Sequence, residues 1–285
     1  MKAAFQKDDA LLADIATARA RGVARLWWLG QSGFLLFADG KTILFDPYLS
    51  DSLTRKYAST DKPHTRVTER VLCPERITGL NCITSSHTHT DHLDAETLVP
   101  LLKSNPSAKL LIPRANQAFV IERLGSVASR LVPIDAGESA AIDGIHFQGI
   151  PAAHNIIERD DSGCCRFLGY VAQIGGFCLY HSGDTLLHDA LLPALQPFLV
   201  DVALLPINGN KPERRVAGNM NGTEAARLAQ QIGARLVIPH HFDMFAFNTA
   251  SPEEFETQCR RLGQPFKVLR HGEGLDLTVK TFGRS

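Results

Sequence analysis

His87-Thr88-His89-Thr90-Asp91-His92 puts four metal-type ligands into six consecutive positions. Neutral imidazoles and a carboxylate suit zinc, manganese or iron. The motif follows Ile83 to Ser85, a short run predicted as a strand. A strand end is rigid, and the loop beyond it can aim several side chains at one point. On extended chain, residues i and i+2 point the same way, so His87 and His89 can share one ion. Asp91 and His92 follow as the chain turns and can face a second ion. The competing reading is a polar loop without a role. The density of ligand-type side chains argues against it.

Outward from this loop, the pattern is one of strands and helices. Downstream, Asp94 is predicted to cap a helix with Leu98, Leu101 and Leu102 on one face. Lys109 to Ile112 reads as a strand, and Asn116 to Leu124 as a helix ended by Gly125. Strand-like runs follow at Ala141 to Ile150, Gly169 to Ile174, Phe177 to Tyr180 and Val202 to Pro206. Thr223 is predicted to cap a helix that Gly233 ends, before a strand at Leu236 to Ile238. Upstream, residues 7–20 read as a helix with Leu11, Leu12 and Ile15 on its apolar side. Ala24 to Leu29, Phe34 to Phe37 and Thr42 to Phe45 form an antiparallel meander, with Asp39-Gly40 as a turn. Two mixed sheets with helices outside accommodate this order. No repeat or linker interrupts it, so the 285 residues are predicted to form a single domain, 1–285.

Bulk composition narrows the function classes. A hydrophobic fraction of 44% and a charged fraction of 21% are those of a globular protein with a sizeable core. Thirty Lys and Arg balance thirty Asp and Glu, so no net field draws long nucleic acid or acidic membranes. A small-molecule substrate is the expected partner. No run approaches the roughly 20 apolar residues that span a bilayer. The amino-terminal stretch lacks a signal-type apolar core. A cytoplasmic location is therefore predicted, with the six cysteines as free thiols. Oligomeric state is not legible.

The H-x-H-x-D-H pattern after a strand resembles the signature of the metallo-β-lactamase superfamily. Three further segments resemble that family in order. They are Ile150-Pro151-Ala152-Ala153-His154, Tyr180-His181-Ser182-Gly183-Asp184-Thr185, and Val237-Ile238-Pro239-His240-His241-Phe242-Asp243. Asp46, in Leu44-Phe45-Asp46-Pro47, matches the early aspartate that sits behind the metals in that family. Within the superfamily, Trp27-Trp28-Leu29-Gly30, Val202-Ala203-Leu204 and the segments around Asp184 and His241 resemble the L-ascorbate-6-phosphate lactonases. The resemblance implies an α/β fold, a four-layer αββα sandwich of two mixed β-sheets with flanking helices. It also implies two divalent ions, zinc first and manganese as the alternative. One is held by His87, His89 and His154, the other by Asp91, His92 and His241, with Asp184 bridging them. A hydroxide shared by the ions would attack a carbonyl carbon or phosphorus.

Other residues carry two readings each. Asp184 bridges metals or caps a helix begun by Leu186-Leu187-His188. His240 and His241 compete for one ligand role; the family pattern selects His241, leaving His240 to contact substrate or to pack. His181 either holds a ligand in place or is a buried histidine bonded to backbone. The departing group needs an acid, for which His181 and His240 are the candidates. Asp46 accepts a ligand's N–H or opens a turn with Pro47. Trp27, Trp28 and Met220 are read as packing. His64, His146, His188 and His271 have no partner pattern. Lys211, Arg214 and Arg215, in a polar loop, either receive a phosphate or carboxylate or are solvated. The same holds for Arg55 and Lys56.

The leading functional reading is hydrolysis of a small, anionic lactone or ester. The alternative is a phosphodiesterase acting on a nucleotide, RNA or phospholipid-type substrate. A diiron redox enzyme of the same superfamily would show H-x-E-x-D-H and a flavin domain, whereas position 89 is His. A scaffold that has lost catalysis would not be expected to keep a full ligand set.

Overall fold

A computed structural model describes residues 1–125 and 127–278. Helix α1 (Asp8–Arg21) lays Leu11, Ile15 and Ala18 inward and ends at Gly22, whose φ of 63° suits glycine. In β1 (Arg25–Gly30), Leu26 and Trp28 point to one side, Trp27 and Leu29 to the other, and all four are buried. A strand apolar on both faces belongs between two layers. The meander continues through β2 (Gly33–Ala38) and β3 (Lys41–Phe45). Between them Asp39 and Gly40 both take positive φ, 48° and 71°, as a two-residue hairpin turn demands.

Helix α2 (Ser52–Lys56), β4 (Cys82–Thr84), α3 (Ala95–Ser104), β5 (Lys109–Pro113), α4 (Gln117–Leu124) and β6 (Leu131–Ile134) complete the first half. The second half runs β7 (Ser139–Ile142), β8 (Ile145–Pro151), β9 (Leu168–Ile174), β10 (Phe177–His181), α5 (Leu191–Leu195), β11 (Val202–Pro206), α6 (Gly222–Gln231), β12 (Leu236–His240), α7 (Glu253–Leu262) and β13 (Gly274–Asp276).

The strands make two mixed sheets. One is seven-stranded in the order β13-β1-β2-β3-β4-β5-β6, the other six-stranded in the order β12-β11-β10-β9-β8-β7. Each joins an antiparallel meander to a parallel set. The faces of Trp28, Phe34 and Phe45 pack against Phe147, Tyr170 and Leu204 of the second sheet. The opposite face, with Trp27, Leu35 and Leu44, packs under Leu11 of α1 and Leu98 and Leu101 of α3. Ala225, Ala229 and Phe255 bring α6 and α7 onto the outside of the second sheet. The layers are helix, sheet, sheet, helix, as the resemblance implied.

Three local expectations are corrected. The first turn of α6 is capped by Asn221, not Thr223. Asn221 Oδ1 accepts from Glu224 N at 2.9 Å while Glu224 Oε2 accepts from Asn221 N at 2.9 Å, a capping box. Asp94 does stand at the start of α3, its carbonyl accepting from Leu98 N at 2.7 Å, but its side chain does not cap the backbone; the carboxylate takes Thr97 Oγ1 and Ser52 Oγ instead. No helix starts at Leu186, so Asp184 caps nothing. Among the described residues no helix is long and apolar enough to cross a membrane.

Candidate metal centre

Two groups of side chains converge where the sheets meet. The first is His87, His89 and His154; the second is Asp91, His92, Asp184 and His241. Within each, the potential ligand atoms lie within 4.8 Å of one another. The parallel strands β4, β10 and β12 and the antiparallel β8 deliver these residues on the loops at their ends.

The histidine loop after β4 is bent rather than extended, which corrects the sequence-based picture of neighbours on a strand. His92 N and Leu93 N both donate to His89 O, at 3.0 and 2.8 Å, and curl the chain. The rings of His87 and His89 still meet, with centroids 4.6 Å apart. Arg123 of α4 fastens the loop by donating to Thr88 O at 3.0 Å and Leu93 O at 3.1 Å.

Asp46 is fully buried behind this loop. Its Oδ2 accepts from His92 Nδ1 at 2.7 Å, and its Oδ1 accepts from Thr84 Oγ1 at 2.7 Å. Both oxygens lie 3.2 Å from Ser86 N. Burial alone would raise its pKa, but the His92 hydrogen bond and nearby imidazoles hold it below the ordinary range. A proton held on His92 Nδ1 leaves Nε2 as the lone pair. His154 is set in the same way, its Nδ1 donating to Gly218 O at 2.8 Å. His87 Nδ1 faces Ser86 Oγ at 2.9 Å. The anchored nitrogens point outward and the free ones inward.

Asp184 stands between the groups. Its Oδ1 lies 3.2 Å from His92 Nε2, and its Oδ2 lies 3.2 Å from His241 Nε2 and 3.7 Å from His154 Nε2. The approach to His92 lacks hydrogen-bond alignment, so His92 Nε2 and Asp184 Oδ1 have no hydrogen-bond partner, and neither does His87 Nε2. Three buried polar atoms without partners, one in the first group and two in the second, would be costly unless cations satisfied them. The donor set, five imidazoles and two carboxylates, fits one or more divalent ions.

The local electrostatics agree. Burial pushes Asp91 and Asp184 up, yet the surrounding histidines hold both well below the usual carboxylate range. His241, which burial would lower, is instead raised to about 9 by Asp184 and Asp91, and His92 is likewise raised. His87 goes the other way, pushed well down by burial and by neighbouring imidazoles. Such a centre is negative at neutral pH unless protons or metal ions balance it, and an entering ion displaces those protons.

His241 is the residue of its pair that reaches the centre. It follows β12 with φ of 61°, and its N–H donates to Gln31 O at 3.0 Å. His240 points into the core, beside Ser32 Oγ at 3.2 Å and stacked on His181 at 5.2 Å. His181 is itself fully buried. Its Nε2 donates to Ser32 O at 2.8 Å, its Nδ1 accepts from Gly183 N at 3.2 Å, and its ring stacks on Phe45. With no access to solvent, neither His181 nor His240 is placed to donate to a departing group. Both are instead packing groups, and His181 steadies the turn before Asp184.

A cavity of about 400 Å³ opens over His89, Asp91, His154, Asp184 and His241. Lys56, Tyr57, His64 and Arg123 also line it, as do Val216 and Ala217 from the loop that follows β11. The arginines of that loop are engaged elsewhere. Arg214 clamps Asn208 O and Thr249 O at 2.7 Å each, and Arg215 pairs with Asp61. Lys211 is exposed and outside the cavity, and Arg55 pairs with Glu96. Lys56 does reach the rim.

Gln31 and His64 were not legible as site residues. Gln31 is buried in the β1–β2 turn. Its Nε2 donates to Asp91 Oδ2 at 2.9 Å and lies 3.0 Å from His241 Nε2. No local pattern marks either residue, since both reach the site through tertiary folding.

Residues 41–242 match the family described as the Beta-lactamase superfamily domain. A UPF0173 metal-dependent hydrolase of Rubrobacter xylanophilus is 30% identical over 266 residues, covering 89% of this chain and 97% of its own length. Among solved structures, a metallo hydrolase of the archaeon Ignicoccus hospitalis superposes with a TM-score of 0.65 at 22% identity, over 90% of this chain and 99% of that one. An isothiocyanate hydrolase from Delia radicum gut bacteria gives 0.70 at 16% identity, over 89% and 99%. Both share the fold.

Proposed function

Since the chain belongs to the beta-lactamase superfamily, among its UPF0173 metal-dependent hydrolases, we propose that it is a dinuclear enzyme that opens a small, anionic lactone or ester. His87, His89 and His154 would hold one ion, Asp91, His92 and His241 the other, and Asp184 would touch both. Zinc is the first candidate, because imidazoles outnumber carboxylates, and manganese the second. Two such ions would activate water and polarise the bond under attack.

The observation that carries this reading is the direction of the imidazoles: His92 and His154 spend Nδ1 on Asp46 and Gly218 and leave Nε2 facing Asp184. The chain's own residues do the rest. Gln31 fixes Asp91 beside His241. Leu53, Val216 and Ala217 supply apolar wall, and Lys56 supplies a positive rim that suits an anionic group. The cavity's size suits a small molecule. The resemblance to L-ascorbate-6-phosphate lactonases supports a lactone as the first substrate class to try.

Protein purified without chelator should contain close to two ions per chain by elemental analysis, and Asp184→Asn should lower both the content and the turnover, the latter by about 100-fold or more. Lactones, esters and phosphodiesters should be assayed side by side with zinc- and manganese-loaded protein. Less than one ion per chain, equal activity in Asp184→Asn, or turnover confined to phosphodiesters would sink the proposal.

A further inference from the structure

Water adding across an ester loses one proton as its oxygen bonds to carbon, and the departing oxygen gains one as its own bond breaks. A group that takes the first proton and returns it as the second must stand in the cavity with one uncommitted nitrogen or oxygen. His181 and His240 are sealed in the core. His64 lines the cavity together with Asp91, Asp184 and His241.

Its ring is held from several sides. Tyr57, Phe247 and Phe245 lie at centroid distances of 4.5, 5.3 and 5.4 Å. Its backbone is tied as well: His64 O accepts from Thr54 Oγ1 at 2.7 Å, and the next residue's carbonyl, Thr65 O, accepts from Ala246 N at 2.8 Å. Its Nδ1 is 2.8 Å from Lys62 O. A carbonyl only accepts, so Nδ1 carries the proton and Nε2 carries the lone pair. No hydrogen bond engages Nε2 among the described residues. A histidine that lines a cavity, with one nitrogen fastened to an acceptor and the other without a hydrogen bond, has the layout of a proton carrier.

We propose that His64 Nε2 accepts the proton of the attacking water and delivers it to the departing oxygen. Lys62 O keeps hold of Nδ1–H throughout and stabilises the ring while it is doubly protonated. Burial holds the free imidazole below its ordinary pKa, with Asp91 raising it and His241 and Lys56 lowering it further, so the ring starts neutral at pH 7. The role rests on the ester or lactone reading above and assigns the acid that the core histidines cannot supply.

The test compares two anionic probes, the 4-nitrophenyl and ethyl monoesters of succinic acid, with zinc-loaded full-length protein. 4-Nitrophenolate leaves without a proton; ethoxide does not. His64→Gln and His64→Phe should lose about 10-fold on the nitrophenyl ester, where only the water's proton needs a carrier, and about 100-fold or more on the ethyl ester, where the departing oxygen needs it too, with zinc content unchanged. In ¹⁵N spectra of histidine-labelled protein at pH 7, the signals missing from His64→Gln should be those of a neutral ring protonated at Nδ1. Equal losses on both esters, loss of zinc in both variants, or an Nε2-protonated ring would overturn the assignment of His64 alone. Wild-type protein inactive on both esters would overturn the ester reading and this role with it.

Discussion

At the scale of single residues, Asp46 matters more than its distance from the cavity suggests. It touches no solvent, yet its carboxylate decides which nitrogen His92 turns toward Asp184. It also takes up Thr84 Oγ1 and Ser86 N, so it ties the start of the histidine loop to the end of β3. Asp46→Ala should weaken zinc binding 10- to 100-fold in competition with a chromophoric chelator. Unchanged affinity would mean that the ring is oriented by packing alone. The sequence motif pointed to Asp46, His87, His89, Asp91, His92, His154, Asp184 and His241, because each lies in a short pattern with its own local meaning. Gln31 and His64 have none. Gln31 becomes meaningful only when β1 and β2 bring their turn against His241. His64 does so only when the segment after α2 folds against Phe245.

At the scale of elements, the turn after β10 shows how closely the two halves approach. Gly183 has φ of 59°, and a Cβ there would meet Ser86 Cβ at 2.6 Å and Leu168 O at 2.9 Å. The left-handed backbone and the missing side chain together let Asp184 reach the loop that carries His92. Gly183→Ala should cost about 2–4 kcal/mol in urea unfolding, the sum of a left-handed alanine and an overpacked contact. A loss under about 1 kcal/mol would show that the turn shifts freely. Elements differ in how plainly the sequence declares them. β2 and β3 were legible because continuous apolar runs flank Asp39-Gly40. Helix α7 was not, because only Phe255 and Cys259 are buried and the rest of Glu253–Leu262 is largely charged. Strand β13 is three residues long and half-buried, too short for any periodicity to appear.

At the scale of the whole molecule, each ligand group draws on both sheets. His87 and His89 come from the seven-stranded sheet and His154 from the six-stranded one; Asp91 and His92 likewise face Asp184 and His241. Ions bound there would cross-link the sandwich and stabilise the folded state alone. Stripping them with a chelator should therefore lower the melting temperature by about 10 °C, given about 2.7 kcal/mol for each site filled at 100-fold its dissociation constant. Added zinc should restore it. A melting temperature indifferent to verified metal removal would place the ions outside the load path.

The same division has a consequence for how the protein is made. A ribosome releases His87, His89, Asp91 and His92 well before it reaches His154, Asp184 and His241. Until the second sheet emerges and closes on the first, the nascent chain presents half a chelator. The centre can be complete only once the segment carrying His241 has followed and the two sheets have met.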